Sequence, residues 1–131
     1  RPRRREGPAP QGSRPPVGLT WRLTGRQAFR RLRHIGRRGR SGPVTVIVAP
    51  TGATRPRVAY AVGKTLGPAV TRNRVRRRLR HAFSQLEASG RLPPADYLVI
   101  ASPATVTLDW ASLLHHTETA IATANLNVGT T

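Results

Sequence analysis

The chain has 131 residues, and 23 basic against 5 acidic side chains give it a formal charge of +18. The absence of cysteine excludes disulfides and thiolate metal sites and suits a reducing compartment. No apolar run approaches the ~18 residues of a membrane span, so a charge of this size points to nucleic acid rather than to insertion in a bilayer.

Residues 1–20 are rich in Arg, Pro and Gly, with few side chains able to enter a core, and read as a disordered basic tail. A folded domain over 21–126 follows, long enough for one modest core, and 127–131 reads as a flexible end. Thr24 is the expected N-cap of a first helix whose apolar face is Ala28, Phe29, Leu32 and Ile35, with Gly36 as its stop. Residues 36–43 read as a basic, Gly-rich loop. Residues 44–49 are β-branched almost throughout and predict a strand. A turn over 50–54 leads to a second strand over 57–62, with Val58, Tyr60 and Val62 on one face. Its other face carries only Ala59 and Ala61, which suggests close approach by another group.

Residues 63–83 dominate the chain. Arg72, Arg74, Arg76, Arg77, Arg78 and Arg80 place six guanidinium groups within nine positions. Val75, Leu79, Ala82, Phe83 and Leu86 recur at helical and not at strand spacing. A helix buried on one side therefore presents arginines on the other. Like charges one turn apart each cost about 0.2–0.5 kcal/mol, and no carboxylate lies between Glu6 and Glu87 to relieve them. The simplest counterion is a polyanion. After a break at 90–94, residues 97–101 form an apolar run expected of a strand covered on both faces. Thr107 is the expected cap of a last helix, with Asp109 in its first turn. Trp110, Leu113, Leu114, Thr117, Ile121 and Ala124 face inward, and the chain frays over 125–131. The order is α-β-β-α-β-α, an α+β single-domain sandwich.

Gly63-Lys64-Thr65 lacks the upstream glycine of a phosphate-binding loop, because Val58 stands at that position. His34, His81, His115 and His116 do not form a metal set: the last two are adjacent, so they point in different directions on a helix. Asp96 and Asp109 fall in different elements, and no nucleophile setting is present, so the polypeptide is expected to carry no catalytic residues. Phe29 is either core filling or a base-stacking platform beside a basic groove.

The segment Gly63-Lys64-Thr65-Leu66-Gly67-Pro68-Ala69-Val70-Thr71-Arg72-Asn73-Arg74, followed by the basic helix, resembles the signature of the bacterial ribonuclease P protein subunit. Arg22-Leu23 ahead of Phe29 and Gly36, and the element order, fit the same family over roughly 21–122. The resemblance implies a ribosomal protein S5 domain 2-like fold with a left-handed βαβ crossover. General handedness alone would predict a right-handed one. It also implies partnership with a large catalytic RNA that removes the 5′ leader from precursor tRNA in the cytoplasm. Neither a membrane nor an obligate protein partner is implied. Magnesium would be bound mainly by the RNA, and the protein itself would hold no cofactor. Lys64, Arg72, Asn73, Arg74, Arg76, Arg77 and Arg80 would face the catalytic RNA. Phe29, Arg33, Thr45, Ile47 and Ala61 would line a cleft for the single-stranded leader.

Three positions depart from the family pattern. Thr65 stands where a second lysine is common, Pro68 where asparagine is common, and Arg33 where a second aromatic often occurs. Pro68 is benign beside a helix start, where a missing N–H costs little. Arg33 shifts the cleft from stacking toward phosphate contact. The alternatives are a general or ribosomal RNA-binding protein, which gives no reason for the Arg72-Asn73-Arg74 block, and a protein-only nuclease, for which the carboxylates are too few.

Overall fold

The computed structural model describes residues 21–23, 25–51 and 54–129. The tail over 1–20, the Thr24 cap and the tip of the 50–54 turn lie outside them. Strand β1 is Trp21–Arg22, helix α1 Arg26–Ile35, β2 Arg37–Ser41, β3 Val44–Ala49 and β4 Arg57–Ala61. A 3₁₀ turn at Lys64–Leu66 leads into α2, Ala69–Ala88, and then β5, Asp96–Ala101. A second 3₁₀ turn at Pro103–Thr107 precedes α3, Trp110–Gly129. The five strands pair in the order β1-β4-β5-β3-β2. β4 runs parallel to both β1 and β5, whereas β3 is antiparallel to β5 and β2. Helix α2 connects the parallel neighbours β4 and β5, as a βαβ unit requires.

Period-2 alternation divides the sheet into two faces. Val44, Val46, Val48, Val58, Tyr97, Val99 and Ala101 turn toward α2 and α3 and form the main core with Leu79, Phe83, Leu113 and Ile121. The opposite face meets α1 in a smaller cluster of Leu23, Leu32 and Ala49, flanked by Ala28, Ile47, Ala59 and Leu98. β5 is thus fully covered on the α2–α3 side, while Leu98 and Ile100 on the other side are only half-buried. The small Ala59 packs against this Leu23, Leu32 and Ala49 cluster, the close approach that the small-residue face of β4 allows.

Residues 36–43 are not a loop. Arg37–Ser41 forms the edge strand β2, paired residue by residue from Arg37↔Val48 to Ser41↔Val44. Its composition hides the strand, because neither Arg nor Gly favours one. The strand exists because a hairpin through Gly42 (φ 55) and Pro43 lays it against β3, and because α3 closes directly over it. A Cβ on Gly39 would lie 2.3 Å from both the Ala120 carbonyl oxygen and the Ala124 amide nitrogen. Only glycine lets the helix, itself smooth at Ala120 and Ala124, rest on the strand.

The last helix also starts later than expected. Thr107 closes the preceding 3₁₀ turn, and Asp109 takes the cap position. Its carbonyl accepts from the Leu113 amide at 3.0 Å, and its side chain is hydrogen-bonded to Ser112. That bond is the main cause holding the Asp109 carboxyl below its ordinary range, with Arg78's charge a smaller contribution. At the other end α3 does not fray at 125. It continues to Gly129, and the Asn127 amide donates to the Arg38 carbonyl at 2.7 Å, tying the helix end to β2.

Two outcomes check this packing. Gly39→Ala should lower the unfolding free energy by about 1–3 kcal/mol in urea titrations, and a change under about 0.5 kcal/mol would contradict the close approach. Tyr97 is fully buried, its hydroxyl donates to the Pro93 carbonyl at 2.6 Å, and burial pushes its pKa up to about 12. The unfolded chain ionises near pH 10, so this contribution is complete below pH 10 and is lost as pH climbs through 12. Tyr97→Phe should therefore flatten the fall in melting temperature between pH 10 and 12.

Candidate nucleic-acid interface

Helix α2 forms because its apolar stripe is buried, not because its charges favour it. Val75, Leu79, Ala82, Phe83 and Leu86 are each at most 3% exposed. Phe83 meets Tyr60 and Tyr97 edge-on, with ring centroids 5.9 and 6.1 Å away. Burying one such side chain is worth about 1.5–3 kcal/mol, several times the cost of one like-charge pair. Gly67 (φ 130) and Pro68 (φ −64) turn the chain into the helix, and Leu66 anchors the approach in the core. No side chain caps the α2 N-terminus and no acid lies in its first turn, so its positive end stays open to an anion.

The arginines separate into tied and open groups. Arg78 donates to the Leu108 carbonyl at 2.7 Å and is a brace to the turn before α3. Arg72 donates to the Gly67 carbonyl at 3.2 Å, and Arg76 to the Asn73 side-chain oxygen at 2.7 Å. Arg80 lies over the Tyr60 ring at 5.9 Å. Arg74 and Arg77 are exposed, with no hydrogen-bond or ionic partner among the described residues, and Lys64 is exposed on its 3₁₀ turn. The four described carboxylates are all engaged elsewhere. Arg57 holds Asp96 with two bonds of 2.8 and 2.9 Å. Arg55 pairs with Glu87 at 2.9 Å, Arg91 with Glu118 at 2.7 Å, and Asp109 caps α3. The α2 face therefore keeps its positive field.

The expected cleft lies on the other face of the sheet. The strand registers place Ala61, Ile100, Thr45 and Arg40 in one row, and Ala59, Leu98, Ile47 and Arg38 in the next. Helix α1 covers the second row: the position of a Cβ on Gly36 is only 2.5 Å from Ile47 Cγ2, so Ile47 packs under the helix. The first row continues past α1, with Thr45 and Ile100 half-exposed and Ala61 and Arg40 exposed. Phe29 is half-buried on α1 but belongs to neither apolar cluster, and Arg33 is exposed. Ile100, Arg38 and Arg40 complete this face and were missed in the sequence. For the two arginines the signal is the alternation Arg38-Gly39-Arg40, visible only once Gly39 is known to face α3. A cavity of about 530 Å³, whose lining includes Arg26, Arg31, Arg57 and Asp96, lies at the far end of the same face.

The two predicted sets thus occupy opposite faces. They meet where β4 ends at Ala61 and the chain passes through Lys64 into α2. The histidines do not converge: His116 Nδ1 and Ser41 Oγ are hydrogen-bonded at 2.7 Å, tying α3 to β2. Among the described residues no group of three His, Asp or Glu side chains could hold a metal ion. No helix there is long and apolar enough to cross a membrane.

A family model described as Ribonuclease P matches residues 19–125. The chain is similar to the ribonuclease P protein component of Thermus scotoductus, at 41% identity across 86% of this chain and 75% of that relative. The corresponding protein of Thermus thermophilus is 40% identical, across 88% of this chain and 68% of its own length. Among solved structures, a mutant of the Staphylococcus aureus RNase P protein superposes with a TM-score of 0.72 at 23% identity. That match covers 80% of this chain and 88% of the other, and it shows the shared fold.

The open α2 face predicts strongly salt-dependent binding to a structured RNA. Arg74→Ala should reduce the slope of log affinity against log salt by about 0.7–0.9, with no loss of thermal stability. An unchanged slope in a binding titration would remove Arg74 from the interface.

Proposed function

The chain belongs to the ribonuclease P protein family, and from that premise we propose that it is the protein partner of a catalytic RNA that removes the 5′ leader of precursor tRNA. The observation carrying this reading is the division of basic surface between two faces of one sheet. On one side the first three turns of α2 and Arg80 just beyond offer Arg72, Asn73, Arg74, Arg76, Arg77 and Arg80, with Lys64 beside them, to the phosphates of a structured RNA. On the other, the half-open row of Ala61, Ile100 and Thr45 is a largely apolar floor on which unpaired nucleotides would lie. Arg40 and Arg38 stand on β2 at the edge of the sheet, and α1, which carries Phe29 and Arg33, packs on the same face. Duplexes are read by shape and phosphate, whereas unpaired bases need a floor to lie on. The α2 face suits the first and the sheet face the second.

The side chains here supply binding and orientation. The described carboxylates are committed to Arg55, Arg57, Arg91 and the α3 cap, so they do not fit a protein-held magnesium cage. Magnesium and the bond-breaking chemistry are assigned to the RNA, in the cytoplasm. By neutralising RNA phosphates the protein lowers the magnesium that the RNA needs to fold and act. By holding the leader it favours precursor over mature tRNA. No further protein partner is required by this reading.

Reconstitution tests it. A ribonuclease P RNA transcript at low magnesium should cleave the leader faster when this protein is added, and Arg40→Ala should weaken discrimination of precursor from mature tRNA. Absence of any stimulation over RNA alone would overturn the assignment.

A further inference from the structure

The solvent side of α2 ends in an aromatic pair that phosphate binding does not explain. Val70, Arg74, Arg77 and His81 recur at helical spacing and form one stripe opposite the buried Val75 and Leu79. The stripe runs about 16 Å along the axis at ~1.5 Å per residue. Val70 is 75% exposed at its start. Arg74 and Arg77, in the middle, have no partner among the described residues. At its end the exposed His81 imidazole stacks on the Trp110 indole, with ring centroids 4.9 Å apart and planes inclined by 31°. Trp110 is half-buried and packs against the main core. As the first residue of α3, it is placed by the Asp109–Ser112 cap and by Arg78 bound to Leu108. The indole is thus a fixed backing, and the imidazole resting on it turns its second face to solvent.

We propose that His81, backed by Trp110, is a stacking platform for one unpaired base of the structured RNA bound along α2. Arg74 and Arg77 hold the phosphates on its approach side. The inference rests on the RNA partnership above and extends that interface by a contact of a different kind. A planar ring, ordered by a second ring and set beside unneutralised guanidinium groups, offers stacking and charge together, which is what an unpaired nucleotide requires. A protein partner would need acidic groups to meet Arg74 and Arg77, and the lone Val70 offers little apolar area to repay them.

The chain has two tryptophans, so a Trp21→Phe background leaves Trp110 as the sole reporter. On titration with a ribonuclease P RNA transcript its fluorescence should be quenched. His81→Ala should weaken binding on the order of tenfold with the salt slope unchanged, because stacking releases no counterions. His81→Phe should retain affinity to within about twofold. Binding by His81→Ala equal to the parent, or His81→Phe as weak as His81→Ala, would overturn the platform while leaving the partnership intact. If the parent protein itself shows no salt-dependent binding to the transcript, the partnership falls and the platform with it.

Discussion

Everything in this protein depends on one contact, the burial of the α2 apolar stripe against the sheet. Val75, Leu79 and Phe83 are each at most 2% exposed, and Phe83 lies edge-on to both Tyr60 and Tyr97. Burial of several such side chains outweighs the repulsion among arginines that would disfavour this helix in isolation. The repulsion is not removed, only overcome. It persists in the free protein as a positive field at the end of a helix whose own dipole adds to it.

Where the four described acids stand keeps that field intact. Asp96, Glu87 and Glu118 are paired with Arg57, Arg55 and Arg91, and Asp109 caps α3. Each of these contacts ties parts of the fold together, so the negative charge of the described residues stabilises structure instead of neutralising the α2 face. Arg78, one of the six arginines of the run, is likewise spent on the Leu108 carbonyl. The basic run is thus part brace and part open surface, a distinction invisible in the order of residues.

The α2 stripe was fully legible in the sequence because it repeats at one period over three turns, and the same is true of the inward side of α3 and the β-branched strand β3. What was not legible depends on contacts between distant segments. β2 contains no apolar residue and becomes a strand through the closeness of Gly39 to Ala120 and Ala124. Only that placement shows Arg38 and Arg40 standing beside Ile47 and Thr45 on the α1 side of the sheet. The cap of α3 lies two residues beyond Thr107 because Thr107 and Asp109 are both good caps, and the 3₁₀ turn at Pro103–Thr107 decides between them. The resemblance from Gly63 through the basic helix to Arg80 points to the family, while local pattern alone reaches no further than a basic RNA-binding domain.

The central claim is that two faces of one sheet serve two different RNA elements. Arginine-selective chemical modification read by mass spectrometry tests it most directly. With the catalytic RNA alone, Arg74 and Arg77 should become protected while Arg38 and Arg40 stay reactive. Adding precursor tRNA with its leader should then protect Arg38 and Arg40, and mature tRNA should not. Protection of all four by the catalytic RNA alone, or no difference between precursor and mature tRNA, would contradict the account.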